Sequence, residues 1–347
     1  MGSGNHSSRT YVPALDGIRA VAILFVFLYH AGYLPGGWVG VDIFFTLSGY
    51  LITTILVTEF EARGSVFIRR FFFRRACRLL PAVVVLVGVA LALSFYFNDQ
   101  LRETKIDAVA ALLYVEDFRY AFSPVTGTTL GHLWSLSVEE QFYLIWPFFL
   151  IVSLSLFGQE RSFYVVIVTI VFVILWRFAL LTEHSASPYY RIYFSFDTRI
   201  DELLIGSALA LWGRRPGQAL LRTIKLSWPF IFIFFIAILI KVDPVTKWEG
   251  VSSYPLIGAA TACLIVILTT EEIPFLTRLF TLAPLVALGR ISYGFYLWHY
   301  LIIHEVKTGG FTILYVTVLS FALTLIVSIG SYRLIEQPVL RLGRRAY

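Results

Sequence analysis

Two residues in one apolar stretch are of types that do chemistry: Arg19 and His30, within Leu15-Asp16-Gly17-Ile18-Arg19 through Tyr29-His30. The residues between them are mostly Ala, Val, Ile, Leu and Phe, so the stretch reads as a membrane-spanning helix. At about 1.5 Å per residue the two stand roughly 16 Å apart along the axis, about half a hydrocarbon core. Eleven steps of about 100° return His30 to nearly the helix face of Arg19. Both groups are costly in lipid, so both are expected to face protein or a water-filled cavity. There an imidazole can act as a general base or a nucleophile, and a guanidinium can hold a phosphate or polarise a carbonyl. The plain alternative is that Arg19 snorkels to a headgroup while His30 caps the outer end of the span.

Further candidates follow along the chain. Asp42, in Gly40-Val41-Asp42-Ile43-Phe44-Phe45, is an acid close after the turn from His30, placed to fix the imidazole tautomer or to favour the first turn of the next helix. The run Gly131-His132-Leu133-Trp134-Ser135-Leu136-Ser137-Val138-Glu139-Glu140-Gln141 joins a His to paired acids, a possible acid/base set; Ser135 and Glu139 alone would make an ordinary helix start. Arg69, Arg70, Arg74, Arg75 and Arg78 form a basic, aromatic-rich approach to a later span. That cluster serves topology and anionic lipid, or docks a phosphorylated cytosolic donor. Arg199, among Asp197, Asp201 and Glu202, is expected to be paired internally, and His299 falls in the outer half of a late span.

The elements that must position these groups are helical. The chain has 347 residues, 58% hydrophobic and 14% charged, against about 25% charged in a soluble domain. Its mean hydropathy is +0.77. An all-α, polytopic membrane helix bundle follows. Spans are expected at 14–31, 39–57, 80–97, 135–156, 162–182, 198–213, 227–241, 254–270, 284–305 and 311–334, about ten transmembrane helices. Residues 106–122 are drawn as an external interfacial or re-entrant helix. If they spanned, Arg214, Arg215, Arg222, Lys225, Arg341, Arg344 and Arg345 would fall outside, against the positive-inside rule. Both termini are then cytoplasmic and the protein is a multi-pass cell-membrane protein. Residues 1–10 read as a disordered tail, 11–340 as the membrane domain and 341–347 as a basic tail. The net charge of +6 is a topology signal before it is a nucleic-acid signal. Cys77, in a basic loop, and Cys263, in an apolar run, suggest neither a disulfide nor a metal site. A cleaved signal peptide at 9–34 is set aside, because no small-x-small site follows the apolar run.

The ordered set resembles the acyltransferase family 3 of integral membrane O-acyltransferases over roughly residues 11–340. The match is carried by Arg19-x10-His30, Gly40-Val-Asp-Ile-Phe-Phe-Thr-Leu-Ser-Gly-Tyr-Leu-Ile52 and Arg74-Arg-x2-Arg78-Leu-x-Pro81. It continues through His132-x-Trp-Ser-Leu-x-Val-Glu-Glu-Gln-Phe-Tyr143, Ser292-Tyr-x2-Tyr-Leu-Trp-His299 and Glu336-x-Pro338. One departure is Tyr300, where the family often has a Pro nearby. The resemblance implies transfer of an acyl group, usually acetyl from acetyl-CoA as co-substrate, to a hydroxyl of a glycan, lipid-linked sugar or metabolite. On that reading His30, Asp42, Glu139 and Arg19 are the catalytic set. Arg19, Arg74, Arg75 and Arg78 hold the donor, and His132, Trp134, Glu140, Tyr296 and His299 line the acceptor side. No metal and no nucleic acid are expected, and a second transfer step would fall to a separate extracytoplasmic protein. The rival class is a transporter using the same intramembrane charges, which usually shows two related halves; the sequence has no such repeat. The acceptor's identity, the acyl chain length and the oligomeric state are not legible in the sequence.

Overall fold

The computed structural model describes residues 11–97, 100–123, 128–182, 188–213, 217–241 and 248–345, and these are helical, with no strand among them. The tail expected at 1–10 and the cations Arg214 and Arg215 lie outside the described residues, as do the side chains of Arg344 and Arg345. The helices in chain order are α1 (Pro13–Ala31), α2 (Val39–Arg63), α3 (Ile68–Phe97), α4 (Leu101–Leu112) and α5 (Glu116–Phe122). After a 3-10 turn at Gly131–Leu133 come α6 (Trp134–Leu181), α7 (Pro188–Phe194), α8 (Phe196–Trp212), α9 (Gln218–Lys241) and α10 (Trp248–Thr269). Then follow α11 (Pro274–Phe280), α12 (Ala283–Arg290), α13 (Ser292–Thr308), α14 (Ile313–Ser331), a π-helical turn at Tyr332–Glu336 and α15 (Gln337–Arg345).

Seven of the described helices are long and apolar enough to cross a membrane: α1, α2, α3, α6, α9, α10 and the α14–α15 stretch. The protein is a multi-pass membrane protein. α6 counts once in that seven, but Gly158, at φ 72° and ψ 175°, breaks it between the spans expected at 135–156 and 162–182. Only glycine takes that conformation without strain. α8 and α13, at 17 residues each, are shorter and carry charged residues. The span expected at 284–305 is broken at Ile291 into α12 and α13. The segment 106–122 is two short helices, parted at Tyr114 with φ 55°, and neither is long enough to cross. Cys77 lies inside α3 rather than in a loop, because the basic run Arg69–Arg78 continues the helix that crosses the membrane.

Burial separates central helices from peripheral ones. Of each apolar window, 67% is buried in α2 and 61% in α1, against 17% in α9 and 22% in the α14 stretch. Peripheral faces such as Leu144, Ile145, Phe148 and Val152 of α6 are exposed, as lipid contact requires. With lipid outside, close backbone packing holds the centre. The most extensive contact, α2 on α8, rests on glycine: a Cβ on Gly206 would lie 1.9 Å from the Thr46 carbonyl oxygen, and one on Gly49 would lie 1.9 Å from that of Leu203.

Candidate active site

α1 starts at Pro13 and stops at Gly32, whose φ of 91° lets its N–H reach the Leu28 and Tyr29 carbonyls. His30 therefore sits in the final turn, half-buried. Its own carbonyl, one that helix geometry leaves without a partner, accepts a 2.7 Å hydrogen bond from Lys307 Nζ. α13 runs beside it. Phe27 of α1, Phe295 of α13 and Phe321 of α14 form a triangle with ring centroids 5.4–5.8 Å apart. The triangle lies one helical turn below His30 and His299 and sets their separation.

His30 Nδ1 lies 3.0 Å from His299 Nε2, and His299 Nδ1 lies 2.6 Å from the Tyr296 carbonyl. A carbonyl only accepts, so His299 Nδ1 carries the proton and, in a neutral ring, its Nε2 accepts. His30 Nδ1–H then donates, and His30 Nε2 keeps its lone pair. The hydrogen-bond chain thus selects the tautomer of His30. His132 completes a three-histidine cluster, its ring 5.5 Å from that of His299. Its Nε2 donates to the Leu297 carbonyl at 3.1 Å. Tyr300 stacks on His132 at 5.0 Å and meets His30 edge-on at 4.8 Å.

Toward the other end of α1 lies a cavity of about 320 Å³. Arg19, Arg75 and Arg78 line it at one end, and Ser135 and Tyr296 at the other. Tyr296 Oη donates to the His132 carbonyl at 2.7 Å and is 2.5 Å from Ser135 Oγ. This pair forms the wall between the cavity and the histidines. Along the cavity, Glu139 accepts from Ser48 at 2.5 Å, and Arg75 stacks on Tyr143 with its guanidinium carbon 3.4 Å from the ring centroid. Glu140 lies 3.7 Å from Arg75. Arg19 pairs with Asp16 at 2.9 Å and also borders a second cavity, of about 510 Å³, lined by Tyr11 and Thr270.

Acids expected next to His30 are elsewhere. Asp42 is fully buried against Arg199, and Arg199 also reaches Glu202 at 3.3 Å. Arg177 binds Asp201 and donates to the Thr198 carbonyl at 3.0 Å. Tyr254, Tyr193 and Trp134 surround Arg199, with Tyr254 at 4.0 Å. Trp134 therefore belongs to this ion-pair cluster rather than to the histidines. The reason is electrostatic: α2 and α8 cross without lipid between them, and a buried acid on one demands the buried cation on the other. Glu139 faces the cavity and Glu140 faces Arg75, so neither orients His30. Arg74 does not line the cavity.

Residues 12–333 match the family model described as an acyltransferase domain. The chain belongs to the acyltransferase 3 family. Among curated proteins it is 34% identical to the peptidoglycan O-acetyltransferase OatA of Listeria monocytogenes, over 97% of this chain and 57% of that protein. It is 34% identical to the O-acetyltransferase OatA of Staphylococcus aureus, over 98% of this chain and 59% of that one. A putative O-acetyltransferase of Staphylococcus aureus is 32% identical, over 99% and 60%. The chain thus spans under two thirds of the length of these relatives. No solved structure matches it. Of the residues that the acyltransferase resemblance singled out, His30, His132, Tyr296 and His299 come together. Arg19, Arg75, Arg78 and Glu139 come together in the adjoining cavity. Sequence reading passed over Ser48, Tyr143 and Ser135 as participants. Only contacts made across helices reveal them: Ser48 on Glu139, Arg75 on Tyr143 and Ser135 on Tyr296.

Proposed function

We propose that this chain is a membrane O-acetyltransferase that takes acetyl from acetyl-CoA at the cytoplasmic side and delivers it to a hydroxyl of a cell-envelope carbohydrate. The observation that carries this reading is the adjacency of two unlike environments. A cavity with three arginines at one end abuts, through Tyr296 and Ser135, a histidine cluster whose hydrogen bonds leave the lone pair of His30 Nε2 free. The relatives' printed names support acetyl, and that of the Listeria protein, a peptidoglycan O-acetyltransferase, supports a glycan acceptor. The topology that goes with it has ten spans, made by dividing α6 at Gly158 and adding α8 and α13, with both termini cytoplasmic.

In this reading Arg75, Arg78 and Arg19 hold donor phosphates, since guanidinium and phosphate pair well. Arg19 does not polarise the reacting carbonyl: it stands roughly 16 Å from His30 along the same helix. His30 Nε2 removes the acceptor hydroxyl proton, and the freed oxygen attacks the thioester carbonyl. The carbon–sulfur bond breaks, and His30 returns its proton to the departing thiolate. His299 positions His30 and stabilises the imidazolium while it exists.

A binding titration of the purified chain in nanodiscs with acetyl-CoA tests the reading. Saturable binding that weakens in Arg75→Ala is expected. No binding by the wild type would overturn it and favour a transporter of another solute.

A further inference from the structure

The acyltransfer reading leaves a third cavity unused. It has a volume of about 310 Å³ and opens at the end of the bundle where α1 finishes. Its walls come from the last turn of α3, the start of α4, residue 129 and the last turn of α13. Its lining is mixed: Ser94, Gln100, Thr104, Thr129, His304 and Glu305 stand among the apolar Ala90, Leu93 and Phe97. Ser94 and Thr104 hydroxyls bond each other at 3.1 Å. Thr129 Oγ1 and His304 Nδ1 are buried and without a hydrogen-bond partner. Buried polar atoms are rarely left so, and each such atom calls for a ligand or water. At its start α4 carries Gln100 in the left-handed region, φ 45°, with no side-chain cap on the first turn's N–H groups.

We propose that this cavity is the acceptor subsite and that it takes a hydroxyl-rich sugar ring. Planar polar side chains such as Gln100, His304 and Glu305 suit adjacent hydroxyl pairs, and Phe97 offers a surface for the ring's C–H face. An acyl chain would leave Thr129 and His304 unsatisfied, at the cost of a buried unpaired polar group. The cavity is also tied to the base. His304 follows Tyr300 by one helical turn, roughly 6 Å, and Tyr300 touches both His30 and His132. Thr129 precedes His132 by the 3-10 turn that starts at Gly131. None of His30, His132 and His299 lines the cavity, so a sugar seated here meets them past Tyr300. The inference rests on the acetyltransferase reading for the word acceptor, though not for the binding itself.

The test uses the full chain in phosphatidylcholine nanodiscs, with Cys77→Ser and Cys263→Ser, since both native cysteines are free. Thr308, exposed at the cavity rim, becomes Thr308→Cys and is labelled with N-cyclohexylmaleimide after folding. Binding of cellobiose, of the β-1,4-linked N-acetylglucosamine disaccharide and of n-octanol is read by saturation-transfer NMR before and after labelling. Acetyl-CoA binding is read in parallel. The expected result is that a disaccharide binds, octanol does not compete, and the cyclohexyl label, by filling the rim, weakens sugar binding by about tenfold or more. Acetyl-CoA binding should stay within about twofold. Thr129→Val with His304→Phe should weaken sugar binding similarly without a label. Neither disaccharide binding, sugar binding indifferent to the label, or octanol binding as well as sugar would each overturn the proposal. If sugar binds here but the wild type never acetylates it, the acetyltransferase reading fails while the subsite stands.

Discussion

At the scale of single residues, the proposed chemistry depends on which nitrogen of His30 is free. The chain from the Tyr296 carbonyl through His299 to His30 fixes that choice with two hydrogen bonds. His299→Gln keeps a polar group near His30 but removes the imidazole that accepts its proton. We expect turnover to fall by about 10²-fold, in the range that one positioned acid–base group supplies. The pH–rate profile should shift while acetyl-CoA affinity does not; unchanged turnover and profile would remove His299 from any role toward His30. A second contrast separates two neighbours. Arg75 lines the cavity and stacks on Tyr143, whereas Arg74 does not line it. Arg75→Ala should raise the acetyl-CoA KM several-fold, and Arg74→Ala should leave it near wild type. Equal effects would return the whole basic run to a lipid or topology role. His30, Arg19 and the basic run were legible in the sequence, because a charge inside an apolar run is conspicuous. The partner of His30 was not, since nothing in spacing says which of several polar groups a helix face will meet. Asp42 looked suitable because it is near in sequence, but Arg199, far along the chain, claims it.

At the scale of elements, the fold positions the site by close crossings and by buried ion pairs. Asp42, Arg199 and Glu202 bind α2 to α8 in the interior. Arg199→Met would strand two buried carboxylates, and breaking such a pair typically costs about 3–5 kcal/mol. The thermal transition of the purified protein should drop sharply, and a transition within a degree or two of wild type would show the pairs to be dispensable. The α4–α5 pair makes a pH prediction. Arg119 lies against Glu103, Asp107 and Glu116, one guanidinium facing three carboxyl groups. Burial, and then neighbouring Asp117, push Glu116 up to about 8. The folded state thus keeps a proton that the unfolded chain gives up near 4.5. The site's contribution to stability is intact below that value and falls as pH rises toward 8, because the native state binds more protons over this window. Hydrogen exchange at α5 amides, corrected for intrinsic rates, should speed up across it. Glu116→Gln should flatten the trend, and a trend that persists in that variant would assign it to another group. The existence of most helices followed from hydropathy. The break in 106–122 and the break at Ile291 did not, because short helices held by neighbours leave no period of their own.

At the scale of the whole molecule, hydropathy foretold a polytopic bundle, and the apolar composition is realised as central helices wrapped by lipid-facing ones. What composition could not tell is which helices are central. The charged α8 is buried and the strongly apolar α9 is peripheral, because polar groups need protein around them in a membrane. The bundle that results has an arginine-lined cavity, then a histidine cluster, then a polar-lined cavity, each with residues from α13. The most direct test of that arrangement is single-turnover consumption of labelled acetyl-CoA by the chain in proteoliposomes, comparing wild type with His30→Ala. Wild type should release CoA and label an acceptor. His30→Ala should bind acetyl-CoA with wild-type affinity yet release CoA at least about 10²-fold more slowly. Release from His30→Ala at the wild-type rate would contradict the account.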